Sequence, residues 1–147
     1  MIVYLDTSAF VKLVLQEPGS AEVGGWFTSA RFAASSVITY PESCAAIGRR
    51  GRTQGTDPSW PTMWLAQLET SWRRTIIIPI LERRAGELAL THRLRGMDAV
   101  HLAAALTLRE QLGAMASEER VAFAAFDRRL LEAAGREGFA TLGGPLD

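Results

Sequence analysis

A chain of 147 residues is long enough for one domain with a full hydrophobic core and too short to suggest two. Its 16 basic and 16 acidic residues cancel, which argues against indiscriminate binding to nucleic acid but leaves room for a local basic patch. The single cysteine, Cys44, excludes an intrachain disulfide and fits a reducing compartment. No apolar run approaches the ~20 residues that span a bilayer, and the N-terminus lacks the basic region of a secretion signal. We therefore expect a cytoplasmic protein that does not associate with membranes.

Predicted strands and helices alternate along the chain. Short apolar runs predict strands over residues 3–5, 32–38, 75–80, 121–127 and 139–144. Amphipathic segments with capping or breaking residues at their ends predict helices over residues 7–17, 20–30, 39–52, 62–74, 81–96, 97–113 and 128–138. Residues 55–61 are expected to form a loop, and the continuous β-branched run at 75–80 predicts a strand buried on both faces. This alternation is typical of an α/β sandwich around a parallel sheet.

Three of the five aspartates, together with one glutamate, lie where a predicted strand ends or a helix begins. Asp6 follows the first strand, and Asp127 ends the fourth. Asp98 opens the helix that carries AVHLAAAL, and Glu42 lies in the first turn of the helix after the second strand. In a parallel sheet, such strand-to-helix junctions meet at one edge. We therefore expect the four carboxylates to lie close together.

Each acid also has an explanation in which it only stabilises a helix. Aspartate is a good N-cap, and Thr39 followed three residues later by Glu42 forms the pattern of a capping box. However, four caps need not all be acids, because serine, threonine and asparagine serve as well. Gathered carboxylates repel one another unless a divalent cation lies among them, and oxygen ligands without histidine or cysteine favour Mg²⁺ or Mn²⁺. A metal held in this way can activate a water for attack at phosphorus.

Four segments carry these acids and their neighbours: IVYLDTSAFVKL, SSVITYPESCAAIGR, GMDAVHLAAAL and FAAFDRRLLEAAG, in this order. Together they resemble the PIN-domain ribonucleases, and within them the VapC-type toxins of bacterial toxin–antitoxin pairs. The resemblance covers nearly the whole chain. It implies one domain over residues 1–147, a three-layer α/β sandwich whose central, mainly parallel sheet of four to five strands is flanked by helices. It also implies an endoribonuclease that uses Mg²⁺ or Mn²⁺ to hydrolyse phosphodiester bonds with a metal-activated water.

The resemblance assigns roles to individual residues. The catalytic acids of the family fall on Asp6, Glu42, Asp98 and Asp127. Asp6 and Asp98 are then the main metal ligands, and Thr7 and Ser8 match the hydroxyls beside the first acid. The implied partners are an RNA substrate, a cognate small antitoxin and a second copy of the chain in a homodimer. Two alternatives remain: a housekeeping RNA-processing nuclease of the same fold, and a non-catalytic binding module whose acids are helix caps.

Other polar and aromatic residues have two interpretations each. His101 lies one turn after Asp98, where it either orients a carboxylate or phosphate or is a packed, hydrogen-bonded core histidine. The arginines at 49–52 and 128–129 flank the acids and either hold an RNA backbone or form solvated helix faces. The helix at 62–74 and the helix after Asp6 are candidate partner surfaces. Three tryptophans are expected in the core or an interface: Trp60, Trp64 and Trp72.

Overall fold

A computed structural model describes residues 1–54 and 61–146. One five-stranded parallel sheet contains β1 (Ile2–Leu5), β2 (Phe32–Ser36), β3 (Thr75–Ile78), β4 (Val121–Ala125) and β5 (Ala140–Gly143), in the spatial order β3-β2-β1-β4-β5. The helices are α1 (Thr7–Phe10), α2 (Ser20–Ser29), α3 (Thr39–Gln54), α4 (Pro61–Trp72), α5 (Glu82–His92), α6 (Gly96–Ala114) and α7 (Arg128–Arg136). The prediction of an α/β sandwich around a parallel sheet is confirmed.

The order of the strands creates a switch point beside β1. The register aligns Ile2 of β1 with Phe32 of β2 on one side and Tyr4 with Phe123 of β4 on the other. The chain runs outward through β2 and β3, then returns by way of α5 and α6 to form β4 against the free side of β1. In open α/β sheets, ligands bind in the crevice outside the carboxyl ends of the strands at such a point. A ligand-binding site is therefore expected in the crevice beyond β1 and β4.

Strand β1 divides the hydrophobic core into two halves. Ile2 and Tyr4 point into a core built with α6 and α7, whereas Val3 and Leu5 point into one built with α1, α2 and α3. All four side chains are buried, which explains why the strand is apolar throughout rather than alternating. Helices on both faces of the sheet give the three layers that the sequence predicts.

Two local predictions differ from the structure, and a third lies mostly outside the described residues. The strand predicted to be buried on both faces is an edge strand, β3, in which Ile76 is 38 % exposed. The helix predicted over 7–17 is α-helical only to Phe10 and continues as a 3₁₀ turn at Val11–Leu13, because the β-branched Val11 and Val14 favour a regular helix less. The loop expected at 55–61 falls, apart from its last residue, outside the described residues. Within the described ranges, no helix is both long and apolar enough to cross a membrane.

Candidate active site

A cleft of about 370 Å³ opens beyond the carboxyl ends of β1 and β4. Four acids line it together: Asp6, Glu42, Asp98 and Asp127. Asp6 and Asp127 are near each other because β1 and β4 are hydrogen-bonded neighbours, while Glu42 and Asp98 enter from the first turns of α3 and α6. All four side chains therefore surround one cavity, as expected from their places at strand-to-helix junctions and helix starts.

Asp6 is the most deeply placed of these acids, with 4 % of the residue exposed. Its Oδ1 accepts hydrogen bonds from the Ser8 hydroxyl at 2.7 Å and from the Ala9 N–H at 2.8 Å, so it does act as the N-cap of α1. Burial nevertheless raises the pKa of Asp6 to about 6, and the charge of Asp98 adds to this effect. The cap bonds are thus too weak to offset the desolvation of the charged form.

Asp127 and Asp98 differ in their local role. Asp127 caps α7, because its Oδ1 accepts from the Leu130 N–H at 2.9 Å. Asp98 caps nothing: it is the third residue of α6, and the cap position belongs to Arg95, which makes no side-chain cap bond. Burial and then the charge of Asp127 raise the pKa of Asp98. The explanation of Asp98 as an N-cap is therefore wrong, and its placement needs another reason.

Glu42 is held by a contact between elements rather than by the capping box. Its Oε1 accepts a hydrogen bond from the Thr7 hydroxyl at 2.6 Å and lies 3.6 Å from Nε2 of His101. The His101 imidazole is the main cause that lowers the pKa of Glu42, and the Thr7 hydroxyl adds to it. Thr39 is engaged elsewhere, with its Oγ1 2.7 Å from the Ser35 hydroxyl. Glu42 consequently stays ionised more readily than an ordinary glutamate.

His101 combines the two interpretations that the sequence leaves open. It is 2 % exposed, and its Nδ1 lies 3.0 Å from the Tyr4 hydroxyl inside the core. Its Nε2 lies 3.0 Å from Oγ1 of Thr7 at the wall of the cleft. Tyr4 is not among the site residues predicted from the sequence. A signal existed, since a tyrosine in a fully buried strand must find a hydrogen-bond partner for its hydroxyl.

The acidic cleft is continuous with two further clefts that carry arginines. One, of about 390 Å³, shares Ser8 and Arg49 with it and also contains Arg50, which pairs with Glu17 at 2.8 Å. The other, also about 390 Å³, shares Asp98 and Asp127 and adds the arginines Arg95, Arg128 and Arg129. A negative centre is thus flanked by positive side chains on both sides.

The donor set suits a hard divalent cation. Among residues 1–54 and 61–146, no three histidine, cysteine or acidic side chains lie close enough to form a complete ligand group. Mg²⁺ does not need one, because it keeps several waters and commonly binds through one or two carboxylates. The charge of Asp98 raises the pKa of Asp6 across the cleft, and a cation between the two would remove that penalty. Asp6 and Asp98 both line the cleft and could hold such an ion.

A five-stranded parallel sheet with an acid-lined cleft at its switch point defines an α/β protein with a ligand crevice outside the carboxyl ends of its strands. The family model described as the PIN domain matches residues 3–136, and the chain therefore belongs to the PIN-domain family.

Two curated relatives from Mycobacterium tuberculosis are similar over nearly their full lengths. Ribonuclease VapC45 (strain CDC 1551 / Oshkosh) is 34 % identical over 154 aligned residues, which cover 99 % of this chain and 98 % of the relative. Ribonuclease VapC49 (strain ATCC 25618 / H37Rv) gives the same identity and coverage. The solved structure of PAE2754 from Pyrobaculum aerophilum superposes with a TM-score of 0.62 at 18 % identity, covering 96 % of this chain and 83 % of that one. At this identity the superposition supports the fold alone.

Proposed function

We propose that this chain is a divalent-metal-dependent endoribonuclease that hydrolyses RNA phosphodiester bonds in the acid-lined cleft. The observation that carries the proposal is the convergence of four carboxylates, from four separate elements, on one cavity at the switch point. The relatives named Ribonuclease VapC, 34 % identical over nearly the whole chain, support the same chemistry. Caps alone do not explain the cluster, because Asp98 and Glu42 make no cap bond in the described structure.

Asp6 and Asp98 would hold the cation, which is Mg²⁺ or Mn²⁺. When bound, the ion supplies positive charge for the phosphate oxygens and lowers the pKa of a coordinated water. Glu42 has a lowered pKa and is therefore ionised at neutral pH, so it can accept a hydrogen bond or a proton from the attacking water. Asp127 completes the acidic lining beside Asp6.

The arginines on both sides of the cleft suit a polyanionic substrate that extends beyond the acids. Arg49 stands at the border of the acidic cleft with one neighbouring cleft, and Arg128 and Arg129 line the other. Phosphates on either side of the scissile bond would meet these guanidinium groups, which pair well with phosphate oxygens. This arrangement favours an RNA chain over a small phosphorylated metabolite.

We further propose that the chain is the toxin of a toxin–antitoxin pair, with a small antitoxin protein and a second copy of itself as partners. Helix α4 offers a contact surface, since it exposes the apolar side chains of Met63 (79 %) and Leu65 (36 %). An arginine of the antitoxin would fit among the four acids, because its planar fork matches carboxylates. A housekeeping nuclease of the same fold would have the same cleft without the antitoxin.

The experiment that tests the proposal is a cleavage assay on single-stranded and stem-loop RNA. Purified chain should cut the RNA with Mg²⁺ or Mn²⁺, should stop when EDTA is added, and should leave 5′-phosphate and 3′-hydroxyl ends. Asp98→Asn should abolish cleavage, while the surface control Glu132→Gln on α7 should behave as the wild type. Cleavage that resists EDTA, or products that end in a cyclic phosphate, would rule out this chemistry.

The toxin assignment has its own test. Expression of the wild type alone in a bacterial host should slow growth, and Asp98→Asn should restore it. Light scattering at tens of micromolar should report a dimer. Normal growth in the presence of an active nuclease would favour the housekeeping alternative, and a monomer would contradict the homodimer.

A further inference from the structure

Four side chains from four different elements form one hydrogen-bonded chain that runs from the hydrophobic core to the cleft. The chain begins at Tyr4 of β1, whose hydroxyl lies 3.0 Å from Nδ1 of His101 on α6. His101 Nε2 lies 3.0 Å from Oγ1 of Thr7 on α1. Thr7 in turn donates to Oε1 of Glu42 on α3 at 2.6 Å. Tyr4 and His101 are buried, so water does not compete for their bonds.

The directions of both Thr7 bonds follow from the last one. Glu42 is ionised and can only accept, so the single hydroxyl proton of Thr7 points at it. The Thr7 oxygen must then accept from Nε2 of His101, which therefore carries a proton. In a neutral imidazole Nδ1 is then unprotonated, and the Tyr4 hydroxyl, 3.0 Å away, is the donor to it. For the neutral imidazole, the geometry thus selects the tautomer with its proton on Nε2, since the partner of one ring nitrogen decides the state of the other.

We propose that His101 is a positioning residue for Glu42: it holds Thr7 so that the Thr7 hydroxyl fixes the carboxylate at the cleft, and Tyr4 sets the imidazole tautomer that this requires. The Glu42 side chain is 33 % exposed, so packing alone leaves it several rotamers. The Thr7 hydroxyl donates to Oε1 and restricts that freedom, and Nε2 of His101 holds the Thr7 hydroxyl in place from 3.0 Å. The consequence for catalysis rests on the proposed nuclease function, because it requires Glu42 to act on the attacking water. The hydrogen-bonded chain itself does not depend on that function.

The protein supplies a matched control for His101. It has only two histidines, and the other, His92 on α5, is also nearly buried and also contacts a glutamate, with Nε2 2.6 Å from Oε1 of Glu137. His92 lines none of the three clefts around the acids. A general effect of removing a buried histidine would therefore appear in both His→Gln variants, whereas a positioning effect would appear in His101→Gln alone.

The first measurement is ¹⁵N NMR of histidine-labelled, metal-free protein, with His92→Gln used to assign the two imidazoles. We expect His101 to show a protonated Nε2 and an unprotonated Nδ1. Tyr4→Phe and Thr7→Val each remove one hydroxyl with little change in volume, and each should shift His101 towards a mixture of tautomers. A proton on Nδ1 in the wild type, or no response to either variant, would overturn the proposed chain. This measurement needs neither metal nor RNase activity, so its failure is distinct from a failure of the nuclease proposal.

The second measurement is RNase kinetics at saturating metal. Removal of a residue that orients a metal ligand or catalytic group without touching the substrate commonly lowers activity about 10- to 100-fold. We therefore expect Thr7→Val and His101→Gln to lower kcat about 10- to 100-fold, with KM changed less than about threefold. Thr7→Ser keeps the hydroxyl and should restore most of kcat, and His92→Gln should retain it fully.

A double-mutant comparison decides whether Thr7 acts through Glu42. In a Glu42→Gln background, the further change Thr7→Val should cost almost nothing, because the group that Thr7 positions is already altered. Independent, multiplicative losses in kcat would show that Thr7 and His101 do not work through Glu42. Equal losses in His101→Gln and His92→Gln, or loss of melting temperature with kcat intact, would show a structural role only and overturn the proposal.

Discussion

The backbone N–H of Phe126 donates a hydrogen bond to the Oγ of Ser8 at 2.9 Å. The same hydroxyl donates a hydrogen bond to the carboxylate of Asp6, and its Oγ lies 2.7 Å from Oδ1 and 2.8 Å from Oδ2. Ser8 therefore ties the loop after β4 to the start of α1. Because Asp127 directly follows Phe126, this hydroxyl and the backbone hydrogen bond from the Asp6 N–H to the Ala124 carbonyl together hold the first and the last acid of the cleft near each other.

Replacing Ser8 by alanine should loosen that connection. Ser8→Ala leaves the Phe126 N–H and the buried Asp6 each short of a partner, which should lower the free energy of unfolding by about 1–3 kcal/mol. The affinity for Mn²⁺ should fall about tenfold, as expected when a supporting residue around a metal site is removed. Denaturant melts and a Mn²⁺ titration measure the two effects. Ser29→Ala, at an exposed position on α2, is the control, and equal behaviour of the two variants would contradict the role given to Ser8.

The stability of the metal-free protein should fall as the pH rises through the acidic range. Burial raises the pKa of Asp6 to about 6, whereas in the unfolded chain it is ~3.9, so the folded state holds this proton more tightly. The free energy of unfolding should therefore decrease between about pH 4 and pH 6 and change little above that. The raised pKa of Asp98 acts in the same direction. The lowered pKa of Glu42 has the opposite effect on the free energy of unfolding. It stabilises the folded protein at higher pH, and this contribution is lost as the pH falls through the pKa of Glu42 in the folded state.

Asp6→Asn isolates this effect. The variant keeps an oxygen for the Ala9 N–H but carries no charge, so in EDTA at pH 7 it should be more stable than the wild type by about 1–3 kcal/mol. The advantage should shrink towards pH 4, where the wild-type carboxyl is protonated. Chemical unfolding of both proteins across this range is the measurement. A constant difference at all pH values would show that the charge of Asp6 is not the cause.

A buried ion pair beside the site should respond asymmetrically to mutation. Lys12 is nearly buried, and its Nζ lies 2.8 Å from Glu17, which also pairs with Arg50. Glu17→Gln leaves the buried ammonium without its counter-charge and should cost about 3 kcal/mol. Lys12→Met leaves Glu17 paired with Arg50. The methionine side chain can pack against the ring of Phe126, where the Lys12 ammonium lies in the wild type. The free energy of unfolding should therefore fall by less than about 1 kcal/mol. Thermal melts at neutral pH compare the two variants, and equal losses would contradict this ranking.

The arginine-lined cleft beside α7 should contribute to RNA affinity through charge alone. The double variant Arg128→Gln/Arg129→Gln should weaken binding of single-stranded RNA in EDTA and reduce the slope of log K against log salt by about 0.7 for each phosphate that the variant no longer neutralises. Arg73→Gln/Arg83→Gln removes two exposed arginines outside the three clefts and serves as the control. An unchanged salt dependence in the first variant would show that RNA does not pass over this cleft.

The parts of the fold that follow from local pattern could be predicted from the sequence. The apolar run of β1 and the turn residues around the helices predict their elements, and the junction rule for parallel sheets brings Asp6 and Asp127 together. The edge position of β3 could not be predicted, because an apolar run of this length does not distinguish a central strand from an edge strand. Its place follows from the return of the chain to β4, which is a property of the whole topology.

The contacts that tune the site depend on pairs of residues far apart in sequence. Thr39 and Glu42 form the local pattern of a capping box. The Glu42 carboxylate instead accepts a hydrogen bond from Thr7, which is 35 residues away from it along the chain. Tyr4 and His101 are 97 residues apart and meet only because α6 packs against β1. A single sequence identifies the residue types that need hydrogen-bond partners but does not pair them. The hydrogen bonds that connect Glu42, Thr7, His101 and Tyr4 could therefore not be predicted from the sequence.

The most direct test of the metal site is a set of four melting curves: wild type and Asp6→Asn, each in EDTA and in millimolar Mn²⁺. If Asp6 binds the cation, the wild type should be stabilised by about 2.7 kcal/mol at a hundredfold excess of Mn²⁺ over Kd, and Asp6→Asn should lose most of that gain. In EDTA the order should reverse, with Asp6→Asn the more stable protein. Asparagine caps a helix as well as aspartate, so if Asp6 only caps α1, Mn²⁺ should leave the melting curve of each protein unchanged. Four coincident curves would contradict the assignment of this cleft as a metal-dependent active site.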